Sequence, residues 1–245
     1  MKKCLAITLI LTIIFFAIPI PSNAASMGIG VTTWTSWWDF EQDSQEDSPD
    51  IGHAFLFGPA VSIGISPKWK VSAVFLYGKF KPDVPAVDEN STDGGGFPPE
   101  LKRYDLDVTL SYILLDYFKI FVGGKFMGYE FEGGTHMSGG PAIGMGLTLN
   151  LVDNLYLLFN VSGMFLFGGQ ESERSEGTFT ADFYEAGVNS SLSLAYYFTP
   201  INTTLSIGFR HQFFKTIMKD DLENEGDQMH NFYGITIAAV FSFNI

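Results

Sequence analysis

From Tyr233 to Ile245 every second residue is apolar, and no other feature limits the possible folds so strongly. Tyr233, Ile235, Ile237, Ala239, Phe241, Phe243 and Ile245 alternate with Gly234, Thr236, Ala238, Val240, Ser242 and Asn244. Successive side chains of an extended chain point to opposite faces, so this run reads as a strand between two different environments. Its aromatic residues persist to the end of the run, where chain termini of soluble domains normally fray. One face of this strand is therefore apolar along its whole length.

Nine further segments repeat the pattern, bringing the expected strands to ten. Tyr104, Leu106, Val108, Leu110, Tyr112 and Leu114 share one face, against Arg103, Asp105, Asp107, Thr109 and Ser111 on the other. Phe55, Phe57, Pro59, Val61, Ile63 and Ile65 alternate with Ala54, Leu56, Gly58, Ala60, Ser62 and Gly64. A third run extends from Tyr184 to Phe198, and a fourth from Leu205 to Phe213. The pattern is faintest between residues 27 and 40. The clear runs span roughly 10 to 14 residues, longer than the usual globular strand of about 5 or 6 and long enough for tilted membrane strands.

The connections alternate in character. Short turns are expected at Ser66-Pro67-Lys68, around Asp116, at Val152-Asp153-Asn154 and at Thr199-Pro200-Ile201-Asn202. Longer polar segments are expected at 41–52, 81–101, 131–139, 169–182 and 216–230, and most of the acidic residues fall there.

The N-terminus bears on compartment. Lys2 and Lys3 precede an apolar run from Leu5 to about Ile20, followed by Pro21 and Ser22-Asn23-Ala24. This pattern predicts a secretory signal peptide over 1–24, cleaved after Ala24, with residues 25–245 as one domain. Cys4 is the only cysteine and would leave with the signal, so no disulfide supports the mature chain. Twelve basic residues would then face 27 acidic ones, a charge near −15 that argues against a nucleic-acid partner. No mature segment offers the eighteen or so apolar residues that a membrane-spanning helix needs. Alternating strands carry the hydrophobicity instead.

These features combine into an all-β fold: an antiparallel up-and-down β-barrel of ten strands, with eight as the alternative, that crosses a membrane. Every peptide group in hydrocarbon must be paired, and closure is how strands achieve that. The Ser22-Asn23-Ala24 signal end, the loop alternation and the Phe241-x-Phe243-x-Ile245 ending resemble the small, porin-like outer-membrane β-barrel proteins of Gram-negative bacteria. Proteins of this kind usually finish on an aromatic residue, whereas this chain finishes on Ile245, two after Phe243. The resemblance implies a barrel with both termini periplasmic, surrounded by outer-membrane lipid and lipopolysaccharide. It also implies a C-terminal strand read by the barrel-insertion machinery. The class fixes an architecture and leaves function open.

With apolar positions facing lipid, the interior carries Arg103, Asp105, Asp107, Lys125, Glu185 and Arg210 among many small residues. Such charges either form a paired network filling a narrow lumen or line a path for ions and small solutes. Ten strands lie between eight, which enclose only side chains, and sixteen, which enclose a channel. Trp34, Trp37, Trp38, Trp69, Tyr104, Phe241 and Phe243 are the expected aromatic belt at the membrane interfaces. The acidic loops suit a solvated surface or an interaction face, and Asp220 to Asp227 lacks the spacing of a calcium loop. No cofactor or metal is expected.

Three enzyme patterns bear on the histidines. Omptin-like proteases resemble this chain in size and strand number, and place acidic pairs with a histidine at the external rim. Here His211 stands between Arg210 and Gln212 with no neighbouring aspartate. His136-Met137-Ser138 has the His-x-Ser spacing that lipid A deacylases carry on a strand, but the flanking glycines predict a loop. The His-x-Ser-Asn pattern of the outer-membrane phospholipase is absent. The reading that follows is a non-enzymatic barrel, structural or a small pore. A rim hydrolase or a surface-interaction protein is the alternative.

Overall fold

The computed structural model describes residues 26–42, 50–81, 100–131, 133–174, 177–219 and 227–244. The expected signal segment, Ile245 and the acidic stretches at 43–49, 82–99 and 220–226 lie outside the described residues. Ten strands form one closed antiparallel barrel. They are β1 (Ser26–Gln42), β2 (Asp50–Gly64), β3 (Trp69–Phe80), β4 (Leu101–Leu115) and β5 (Phe118–Phe131), followed by β6 (Gly134–Val152), β7 (Leu155–Arg174), β8 (Gly177–Phe198), β9 (Thr203–Met218) and β10 (Gln228–Asn244). Each strand pairs with its sequence neighbours, and β10 closes on β1 in register from Ser26↔Asn244 to Gln42↔Gln228. The faint first strand is thus paired along its whole length with the strongest one.

All four expected short turns are present, at one end of the barrel. After β2, the Ser66 hydroxyl accepts the backbone N–H groups of Lys68 and Trp69, at 3.3 and 3.1 Å. Asn154 and Asn202 sit at positive φ, 63° and 49°, where asparagine is better tolerated than most side chains. Two expected loops are not loops. Residues 134–139 begin β6, and 169–174 and 177–182 belong to β7 and β8. These stretches lie beyond the apolar band, so they lose the contrast between lipid and lumen that marks a strand in sequence. For the same reason β6, β7 and β8 run to 19, 20 and 22 residues, beyond the expected 10 to 14.

The outer wall is apolar and laterally continuous. Ile143 is 68 % exposed, Phe55 58 % and Ile237 55 %, values that suit a hydrocarbon surround and would be costly in water. The band runs from Trp69 to Tyr77 on β3 and from Leu114 to Tyr104 on β4, matching the roughly 9–11 residues of a tilted membrane strand. Above it, toward the long connections, the exterior turns polar with Asp39, Lys79, Lys102, Glu130, Glu171, Asp182 and Lys215. Lys79 pairs with Glu100 at 2.9 Å and Lys102 with Glu130 at 2.8 Å. The hydrogen bond from Lys79 holds the Glu100 carboxyl, which lies outside the strands, below its ordinary value.

Inward glycines let the wall bend tightly. A Cβ on Gly234 would lie 1.8 Å from the Thr35 carbonyl oxygen at the β1–β10 seam. One on Gly187 would lie 2.2 Å from the Phe213 oxygen. Any side chain there would push adjacent strands apart.

Candidate functional site in the barrel lumen

Alternation carries Arg103, Asp105 and Asp107 of β4, Lys125 of β5 and Arg210 of β9 to the inside, where they form one network. Arg103 Nη2 donates to Asp105 Oδ2 at 3.0 Å and to Gln212 Oε1 at 2.8 Å. Lys125 Nζ donates to Asp105 and lies 3.0 Å from Asp107 Oδ1. Arg210 Nη2 lies 3.0 Å from Asp107 Oδ2 and 3.5 Å from Asp105 Oδ1, and its Nε donates to Asn189 Oδ1 at 3.1 Å.

Three cations meet two carboxylates here, and aromatic faces share the excess charge. The Arg103 guanidinium lies 3.7 Å above the Phe232 ring and 5.2 Å from that of Trp34. Arg210 lies 4.6 Å from the Trp34 ring. Trp34 therefore serves both arginines through cation–π attraction, which strengthens where water is excluded. Arg103 Nε and Nη1 find no hydrogen-bond acceptor among the described residues, and these ring contacts compensate the guanidinium in part.

Glu185 belongs to a second, separate network. Its Oε1 is 2.9 Å from His136 Nε2 and accepts the Thr216 hydroxyl at 3.1 Å, while Oε2 accepts Ser138 at 2.6 Å. His136 and Ser138 are thus lumen-facing strand residues, where a loop was expected. Both are spent on the same carboxylate, and both are buried. A nucleophile needs its base beside it and a substrate within reach, and this arrangement supplies neither. His211 lies on the outer wall, with Nε2 2.6 Å from Asn231 Oδ1.

The aromatic belt needs correction. Trp37, Trp69, Tyr104, Phe241 and Phe243 do face outward, but Trp34 and Trp38 turn into the lumen, 0 % and 4 % exposed. Period two forbids Trp37 and Trp38 from sharing a face, so their adjacency was itself the signal that one points inward. Trp38 packs 4.7 Å from Phe232, 5.2 Å from Tyr129 and 5.3 Å from Phe80, at the centre of a ring cluster. Phe214 and His230 extend that cluster at 4.7 Å from each other. Sequence reading missed this cluster because aromatic residues on the lumen side of a membrane barrel break the simple rule of apolar outside and polar inside.

The lumen therefore has two halves. Toward the long connections, the rings and charged groups between 0 and 8 % exposed fill it. Toward the short turns lies a cavity of about 330 Å3, lined by Ser72, Thr109, Ser111, Asn160, Ser191 and Lys119 among others, with Asp107 and Arg210 at its inner end.

No known family model matches the chain, and no curated protein matches it in sequence. Its structure is similar to the outer membrane protease OmpT from Escherichia coli, with a TM-score of 0.56 and 11 % identity over 94 % of this chain and 99 % of that one. Looser likenesses join it to the outer membrane protein AlkL (TM-score 0.46, 12 % identity, covering 94 % and 95 %). Neisserial surface protein A gives a TM-score of 0.37 at 11 % identity, covering 90 % and 100 %. Identities this low speak for fold alone. Closed, antiparallel, ten-stranded and apolar on its outer wall, the chain has the fold of the bacterial outer-membrane β-barrels.

Proposed function

We propose that this protein is a non-enzymatic structural barrel of the Gram-negative outer membrane, its lumen closed by side chains. The carrying observation is the filled half-lumen. Arg103, Asp105, Lys125 and Arg210 bind one another and the rings of Trp34 and Phe232, and none of these six residues is more than 8 % exposed. In this reading residues 1–24 are removed and 25–245 form the barrel. Both termini and the short turns face the periplasm, and lipid and lipopolysaccharide surround the apolar band. The barrel-insertion machinery engages β10. The Glu185 carboxylate, engaged by His136, Ser138 and Thr216, and the outward His211, whose Nε2 is held by the Asn231 amide at 2.6 Å, speak for a barrel without a catalytic centre.

Planar-bilayer recording tests this directly. The purified protein is expected to give no steady conductance, and a constant open channel would overturn the reading. A second reading, a small gated pore for ions, draws support from the 330 Å3 cavity, which already hollows half of the lumen. It expects brief voltage-driven openings that become frequent in Trp34→Ala, where the ring between the two arginines is gone.

A further inference from the structure

The cavity toward the short turns has a chemistry of its own, which the closed-barrel reading does not use. Its volume lies within the roughly 300–1,000 Å3 of small-molecule sites. The lining is dominated by hydroxyl and amide groups: Ser72, Thr109, Ser111, Asn160, Asn189 and Ser191. Because the opposite half is filled, a solute enters from the short-turn end.

Three observations point to an anion. Lys119 lines the cavity, half-buried, and has no ion pair among the described residues. At Gly146 a Cβ would lie 2.5 Å from Lys119 Cε and 2.6 Å from Asn160 Oδ1, so the absent side chain makes room for the lysine stem beside the amide. The Ser111 hydroxyl, on a residue only 5 % exposed, also lines the cavity and has no side-chain hydrogen bond among the described residues.

Charge is also divided between the ends of the molecule. The chain carries 27 acidic residues, yet Asp116 and Asp153 are the only described acidic side chains on the short turns. Lys68, Lys70 and Lys119 stand against them. Asp107 at the inner end is already matched by Lys125 and Arg210 at 3.0 Å each. The cavity is therefore locally cationic in a strongly acidic protein, and a concave wall of low dielectric focuses that field.

We propose that this cavity binds a small polyhydroxylated anion of the sugar-acid class. Lys119 would take the carboxylate, and the serine, threonine and asparagine side chains would take the hydroxyls.

The test is calorimetric titration of the intact barrel in detergent with gluconate, using glucose as the uncharged counterpart. Gluconate is expected to bind at least about tenfold more tightly than glucose. Lys119→Met should weaken gluconate about tenfold, while Lys119→Arg should stay within about threefold of the parent. Lys102→Met, on the outer wall at the opposite end of the barrel, should leave binding unchanged. Heat-dependent electrophoretic mobility checks that each variant is folded. Should Lys119→Met prove misfolded, Ser111→Ala provides the second arm, with an expected loss of about fivefold. Equal affinity for gluconate and glucose, parental affinity in folded Lys119→Met, or no heat signal up to about 50 mM would each overturn the proposal. A closed barrel that fails to bind gluconate leaves the proposed function standing, and a conducting barrel that binds it does the reverse.

Discussion

At the residue scale, the stability of the lumen rests on mutual compensation among a few charges. Asp105 accepts from Arg103 and Lys125 and lies near Arg210, so removing one partner leaves charge buried with fewer counterparts. Breaking a buried pair in this way typically costs about 3–5 kcal/mol. Asp105→Asn, which leaves three cations facing Asp107 alone, is expected to lower unfolding stability in lipid vesicles by about 3 kcal/mol, as read by urea titration. Adding Arg103→Met, which removes one of the surplus cations, should recover part of that loss, giving a coupling of about 1–3 kcal/mol in the double-mutant cycle. Strict additivity would show that the two residues act independently. The lumen charges were legible as a group, because all of them sit on the polar side of clear strands. Their division into two networks was not legible, since it depends on which strands face one another across the barrel.

At the element scale, strand pairing depends on where a side chain is missing. Gly234 meets the Thr35 carbonyl so closely that any Cβ there collides with the backbone of β1. Gly163 on β7 has nothing within 4 Å of its would-be Cβ and faces outward. Gly234→Val is therefore expected to destabilise the closing seam by at least about 2 kcal/mol. Gly163→Val should stay within about 0.5 kcal/mol. Refolding yield into vesicles and denaturant midpoints measure both, and equal effects would refute a special closeness at the seam. The ten strands were readable from alternation, but their upper ends were not. Residues 134–139, 169–171 and 180–182 have left the apolar band, and a strand without the contrast between lipid and lumen gives no periodic signal.

At the scale of the whole molecule, one wall separates two apolar regions. The outer band faces hydrocarbon, while the rings of Trp38, Phe80, Tyr129, Phe214 and Phe232 pack inside the same cylinder. The four tryptophans sample both sides, with Trp37 and Trp69 outside and Trp34 and Trp38 within. Variants retaining one tryptophan at a time, reconstituted in lipids brominated along their chains, should separate accordingly. Fluorescence of Trp37 and Trp69 should be quenched strongly, and that of Trp34 and Trp38 should fall by less than about a quarter of that extent, because bromine quenches only at short range. Uniform quenching of all four would contradict the assignment of faces.

The amino-acid sequence by itself determined the strand-forming segments, their two faces, the short turns and the barrel class, since these follow from local periodicity and turn chemistry. Closure of β10 on β1 was also implied, because unpaired edges cannot lie in hydrocarbon. Only the tertiary structure decided that the lumen is filled at one end and hollow at the other. That outcome depends on which inward side chains come to the same height across the barrel: Trp34 between Arg103 and Arg210, Glu185 beside His136, Lys119 beside Gly146 and Asn160. Such heights are set by strand stagger and curvature, properties of the closed sheet that no single strand contains.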